Sequence, residues 1–101
     1  MKYRSKLNII ADILKAAENG SKKTRIMYLA NLSYRLLEKY LVRVIKADLL
    51  RHNGEVYELT EKGRIFLEKF NDYSEKMSKI RKEVEAINFE RQVLEQMCEI
   101  A

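Results

Sequence analysis

The chain has no proline, no tryptophan, three glycines, one histidine and one cysteine among its 101 residues. Each scarcity excludes something. A lone cysteine cannot form an internal disulfide, and one cysteine with one histidine cannot close a zinc site made of those residue types. Without proline, long helices run uninterrupted. No stretch approaches the ~18 uncharged apolar residues of a membrane span. No basic-then-apolar leader ending in small residues opens the chain, so no signal peptide is expected and the expected location is cytoplasmic. At this length one small module is expected, too short to enclose a substrate cleft between two lobes. Gly20, Gly54 and Gly63 do not approach the spacing of a phosphate-cradling loop, and no acidic pair stands at a spacing suited to hydrolysis. His52 has no nucleophile or carboxylate placed beside it by a motif, so it reads as an exposed residue and not as a base. An enzyme is not expected, and neither is a cofactor, a metal or a small-molecule substrate.

What is present is a folded, charged chain, 47% hydrophobic and 35% charged, with a net charge of +5. The charge is unevenly placed. Residues 1–59 carry 12 Lys/Arg against 6 Asp/Glu, whereas residues 60–101 carry 8 against 9. A basic first part points to an anionic partner.

Apolar periodicity divides that first part into elements. Ser5 can cap a first helix whose apolar face holds Leu7, Ile10, Leu14 and Ala17, widened by Ile9 and Ile13, and Gly20 follows its end. The polar run Ser21-Lys22-Lys23-Thr24 opens a short second helix over 22–31, with Ile26, Leu29 and Ala30 facing inward. Asn31-Leu32-Ser33 reads as a tight turn, because asparagine tolerates left-handed backbone and Ser33 can cap a third helix over 33–48. There Leu36, Leu37, Tyr40, Leu41, Val44 and Ile45 form the apolar side, which leaves Tyr34, Arg35, Lys39, Arg43 and Lys46 opposite. The period then shortens. Residues 50–59 read as a β-hairpin built around Asn53-Gly54, with Val56 to Leu59 alternating as a half-buried strand. Thr60 can cap a long last helix, with Glu61 in its first turn where the helix dipole favours negative charge.

From Phe66 that helix carries a heptad seam: Phe66, Phe70, Tyr73, Met77, Ile80, Val84, Ile87, then Leu94 and Cys98, interrupted only by Arg91. A helix from 60 to 99 would be about 60 Å long, and its far part would have nothing of its own chain to lie on. A second copy is therefore expected to bury the seam, with Cys98 as a small apolar member of it. Residues 74–82 carry a surplus of three positive charges and residues 83–101 a surplus of four negative ones. An antiparallel pairing puts plus beside minus, whereas a parallel in-register pair would set Lys76 beside Arg81 and Glu90 beside Glu95. The expected organisation is thus a winged-helix domain over 1–72 and a dimerisation stalk over 73–101. Phe70, Tyr73, Met77, Ile80, Val84, Ile87, Leu94 and Cys98 are the expected dimer contacts.

Helix, helix, turn, helix, hairpin, helix is the order of a winged helix, mainly α with a small β wing. In that fold the second member of a helix-turn-helix enters the DNA major groove and the wing reaches toward the backbone. Three groups of residues would then face double-stranded DNA. Lys22, Lys23, Thr24 and Arg25 open the second helix, where a phosphate can sit. Ser33, Tyr34, Arg35, Lys39 and Arg43 lie at the start and outer side of the third, although Tyr34 can instead pack on the first helix. Arg51, His52 and Asn53 lie in the wing, where turn geometry alone would also explain Asn53.

Four stretches carry a family likeness. Lys23-Thr24-Arg25-Ile26-Met27-Tyr28, Ala30-Asn31-Leu32-Ser33-Tyr34 and Tyr40-Leu41, with Tyr57-Glu58-Leu59-Thr60-Glu61-Lys62-Gly63, resemble the small archaeal, crenarchaeal winged-helix proteins classed as chromatin-associated. The resemblance spans nearly the whole chain. It implies a dimer joined through a long antiparallel coiled coil, a DNA-binding head at each end, little sequence preference and a nucleoid-associated role. Arg91 departs from an unbroken seam. Two other functions fit the same residues: a sequence-specific transcriptional regulator reading bases through Arg35, Arg43 and Asn53, or a coiled-coil adaptor whose winged part binds protein.

Overall fold

The computed structural model describes residues 4–98. Its elements follow in the order α1 (Lys6–Ala16), α2 (Lys23–Leu29), α3 (Tyr34–Lys46), β1 (Leu50–His52), β2 (Tyr57–Leu59) and α4 (Glu61–Met97). The expected extension of the last helix to residue 99 lies outside the described residues. The chain divides into two compact units, one ending at Phe70 and the other beginning at Asn71, so the boundary falls inside α4.

In the first unit, side chains at the helix starts do the capping expected of them. The Ser5 hydroxyl accepts from the Asn8 N–H at 3.1 Å and Ser33 from the Leu36 N–H at 3.2 Å. The ends of α2 and α3 share one device. Asn31 (φ 53°) and Asp48 (φ 62°) are left-handed. At each end the next amide reaches back five residues, Leu32 to the Met27 carbonyl at 3.1 Å and Leu49 to Val44 at 2.9 Å. Leu32 and Leu49 are buried, supplying the apolar contact that accompanies this type of C-cap. Asn31 was expected in this role; Asp48 carries no comparable sequence signal beyond a short polar side chain that tolerates the conformation.

The core is built from Ile13 and Leu14 of α1, Ile26 of α2, Leu37 and Val44 of α3 and Leu50 of β1, all fully buried. Leu7, Leu29 and Ile45, expected to face inward, are exposed instead. Leu29 and Ile45 sit about 80–90° from the centre of their helix's buried stripe at ~100° per residue, the edge that an i, i+3, i+4 pattern admits too generously, whereas Leu7 stands in the first turn of α1. Ala11, absent from the expected face, is fully buried.

The hairpin pairs Leu50 with Leu59, Arg51 with Glu58 and His52 with Tyr57. Ser21 adds a bridge on the other side of β2, its N–H donating to the Tyr57 carbonyl at 2.9 Å and its carbonyl accepting from the Tyr57 N–H at 2.8 Å. The segment read from sequence as a polar opening to α2 thus also ties α2 to the wing. The turn differs from expectation as well. Gly54, with φ of 102°, and Glu55 occupy its centre, and Asn53 is not left-handed. Asn53 shapes the turn through its side chain, whose Oδ1 accepts from the Glu55 and Val56 amides, each at 3.0 Å.

One joint ties the end of α3 to the start of α4. The Thr60 amide donates to the Leu49 carbonyl at 3.2 Å, its hydroxyl donates to the Asp48 carbonyl, and Lys62 Nζ donates to the Ala47 carbonyl at 2.8 Å. Thr60 Oγ1 also accepts from the Gly63 N–H at 3.0 Å, capping α4 as expected. Within α4, Leu67 is buried, and Phe66 and Phe70 stack at 6.3 Å and pack against the core of the first unit. Phe66 and Phe70, both on the expected seam, are half-buried against the core of their own chain, because the first turns of α4 close that core.

The second unit is one helical segment running to Met97. Met77, Ile80, Val84, Ile87 and Leu94 are each between 41% and 62% exposed, and Tyr73 is similarly open. Cys98 is exposed just past the end of α4. Phe89, Val93 and Met97, which lie off the seam and were not anticipated, are exposed too. Lys76 pairs with Asp72 at 3.0 Å and Arg91 with Glu95 at 2.7 Å, both one helical turn apart. Among the described residues no helix is long and apolar enough to cross a membrane.

The joint predicts a cost at Gly63. A Cβ there would stand 2.1 Å from the Leu49 carbonyl oxygen, a backbone atom already held by Thr60. Gly63→Ala is expected to lower stability by about 1–3 kcal/mol through overpacking, despite the better helix propensity of alanine. Urea denaturation followed by circular dichroism measures it.

Candidate nucleic-acid interface

The interface is built on α3, because burying Leu37, Tyr40, Leu41 and Val44 leaves the opposite face no choice but solvent. Arg35, Lys39, Val42, Arg43 and Lys46 are exposed there. Lys39 and Arg43 flank the buried Tyr40 ring, with cation-to-centroid distances of 5.8 and 5.5 Å. Both residues remain exposed although their charged ends approach that ring. Val42 was not singled out from the sequence, where attention to charge passed over it.

Ser33 and Tyr34, at the start of α3, are placed differently from the cations. The Ser33 oxygen accepts an α3 amide, so its main duty is the cap. Tyr34 is exposed and is not part of the core. Lys23 of α2 reaches it, with Nζ 4.8 Å from the ring centroid and 3.4 Å from the hydroxyl. Lys23 also pairs with Glu38 of α3. Glu38 is an acidic group bordering the basic face, and the Lys23 charge offsets it. Lys23 therefore spans α2 and α3 within the helix-turn-helix, while Lys22, Thr24 and Arg25 remain exposed.

Lys22, Lys23 and Thr24 line a shallow groove with His52, Gly54, Glu55 and Tyr57 of the wing. The start of α2 and the wing, distant in sequence, are thus brought together. The wing residues have internal partners. Arg51 Nε meets Glu58 Oε1 across the strands at 3.2 Å, the His52 ring lies 4.4 Å from that of Tyr57, and Asn53 holds the turn. With Glu55 and Glu58 beside Arg51, the hairpin has no net basic character, unlike α3.

Arg4 was missed by the sequence reading. It donates to Asp12 Oδ2 at 3.0 Å and to the carbonyls of Ala30 at 2.8 Å and Asn31 at 2.9 Å. It thereby satisfies the C-terminal end of α2 and steadies the turn into α3. An arginine ahead of the first helix carries no periodic signal that would announce this.

The model of the winged helix-turn-helix family matches residues 3–78. Two uncharacterized proteins of Methanocaldococcus jannaschii are similar in sequence. One is 41% identical over 70 residues, which cover 68% of this chain and 33% of that protein. The other is 42% identical over 62 residues, 60% of this chain and 64% of that protein. The chain therefore spans a third of one relative and just under two thirds of the other. Both come from a euryarchaeon, so the likeness is not confined to crenarchaeal proteins. Among solved structures, Sso10a-2, a DNA-binding protein from Sulfolobus solfataricus, is 30% identical with a TM-score of 0.67, covering 83% of this chain and 96% of that one. Lactococcus lactis ZitR is 17% identical with a TM-score of 0.59, covering 98% of this chain and 73% of that one, and shows the fold alone. In its complex with DNA it matches with the same TM-score of 0.59 at 18% identity, covering 74% of that chain.

The position of Lys23 separates it from its neighbour. Lys23→Met is expected to lower stability by about 0.5 kcal/mol, a modest value because the ion pair is partly exposed. Lys22→Met should leave stability unchanged. Chemical unfolding of the two variants side by side checks the difference, and combining Lys23→Met with Glu38→Gln should cost less than the sum of the two.

Proposed function

The chain belongs to the winged helix-turn-helix family, and from that premise we propose that it binds double-stranded DNA, with α3 in the major groove. Binding is driven mainly by phosphate neutralisation, so sequence preference is low and the role is architectural. The observation that carries this reading is the outward face of α3, where Arg35, Lys39, Arg43 and Lys46 stand exposed and the one bordering carboxylate, Glu38, is matched by Lys23. Four cations on one helix face suit a polyanion better than a protein surface of mixed charge. The DNA-binding description of Sso10a-2 supports the same reading. Lys22, Thr24 and Arg25 add phosphate contacts beside the groove helix, while Arg51, His52 and Asn53 contribute less because each already has a partner in the wing. Family and neighbours support a binding module over an enzyme.

The second unit dimerises the protein. Residues 73–101 act as a stalk in which Tyr73, Met77, Ile80, Val84, Ile87, Leu94 and Cys98 meet a second copy. A 3.5-residue apolar repeat winds two helices into a left-handed supercoil. Phe70 is half-buried against its own core, and the seam stands exposed from Tyr73 onward. The reversal of charge between residues 74–82 and residues 83–98 favours an antiparallel pair. Two linked DNA-binding units then act with an effective concentration that one lacks, which suits bridging or compaction of nucleoid DNA.

Affinity for random-sequence duplex is expected to fall steeply between low and high salt as counterions are released. Arg35→Ala with Lys39→Ala should weaken binding to all sequences alike and flatten the slope of log affinity against log salt by about 2. Fluorescence anisotropy across a salt series measures both; affinity independent of salt defeats the reading, and large discrimination between oligonucleotides favours a sequence-specific regulator. A chain ended after Asp72 should be monomeric by light scattering, less stable and weaker on DNA. A dimer surviving that truncation defeats the stalk.

A further inference from the structure

The outward face of α3 holds one side chain that its charge pattern does not explain. At ~100° per residue, Arg35, Lys39, Val42 and Lys46 fall within about 60° of arc, opposite the buried stripe. Val42 is 58% exposed at one edge of that arc, about one helical turn from Lys39 and from Lys46. Burial does not call for valine there, and helix propensity disfavours it, since a β-branched residue loses rotamer freedom that lysine or arginine keeps. It has no charge to offer a phosphate and no hydrogen bond to offer a base. One feature of the major groove does suit it: the C5-methyl of thymine, the apolar group among otherwise polar base edges.

We propose that Val42 is a specificity-determining residue that packs against pyrimidine 5-methyl groups in the major groove, giving a backbone-directed binder a preference for methyl-bearing duplex. The inference rests on the reading of α3 as the groove helix. Flanked by Arg35, Lys39 and Lys46, Val42 is carried to the base edges whenever these cations engage the phosphates on either side. Removing both its methyls and the thymine methyl from water strengthens binding; a groove without that methyl leaves Val42 against polar edges. The contact of one methyl is worth about fourfold in affinity per site.

The test uses the intact protein and two pairs of matched duplexes, alternating dA·dT against dA·dU, and a cytosine duplex against its 5-methylcytosine counterpart. The second pair moves the methyl group independently of A·T groove shape. Wild type is expected to bind the methyl-bearing member of each pair about fourfold more tightly. Val42→Ala should bind both members alike, with the affinity of wild type for the methyl-free ones, and should melt at no lower temperature because the position is exposed. Equal wild-type affinity within each pair overturns the role of Val42 and leaves the DNA-binding reading standing. A methyl preference that persists in Val42→Ala overturns it too, because the preference then arises elsewhere. No binding to any of the four duplexes overturns the DNA-binding reading and the inference with it.

Discussion

The burial of one stripe of α3 is the constraint on which the rest depends. Leu37, Tyr40, Leu41 and Val44 can leave water only by facing the core formed by α1, α2 and β1, and at 3.6 residues per turn that orients every other side chain of the helix. The basic outer face is thus a by-product of hydrophobic burial. What the remaining structure adds is rotational and axial precision. Arg4 and Asn31 settle the turn from α2 into α3, and Thr60, Lys62 and Gly63 settle the far end against the Ala47, Asp48 and Leu49 carbonyls. A helix held at both ends by hydrogen bonds and along its length by packing presents its cations at fixed spacing, which lowers the entropy lost on meeting a regular polyanion.

The second unit obeys a different logic. Its apolar residues recur at heptad spacing and are exposed, and an isolated helix in water is only marginally stable. The burial that α3 finds within its own unit is what this exposed stretch lacks within its own. Phe66 and Phe70 mark where one regime hands over to the other, since they pack against the core of their own chain although they belong to the same periodic pattern.

The legible parts of the fold were those where one physical effect dominates a local stretch. Ser5, Ser33 and Thr60 were read as caps because a hydroxyl before an apolar-periodic run has an amide to accept from, and all three do so. Less legible were residues whose partners lie far along the chain. Arg4 spans 26 and 27 residues to its acceptors, Ser21 bridges to Tyr57, and Lys23 pairs with Glu38. Asn53 was read for its backbone and acts through its side chain. Leu29 and Ile45 show the limit of periodicity: it finds the stripe but not its width, which depends on how far the opposing elements wrap around it.

From its order of residues alone, this chain specified which helices and which hairpin form, where they begin, and that one helix carries cations on one side and grease on the other, because propensity, capping and periodicity act over a few residues. Only the tertiary arrangement decided which cations stay free and which are spent. Lys23 turns to Glu38 and Arg51 to Glu58, whereas Arg35, Lys39 and Lys46 stay exposed on one face of α3 with Val42 at its edge. Electrostatic pairing depends on distances of a few ångströms between groups remote in sequence, and those distances exist only once the core has closed.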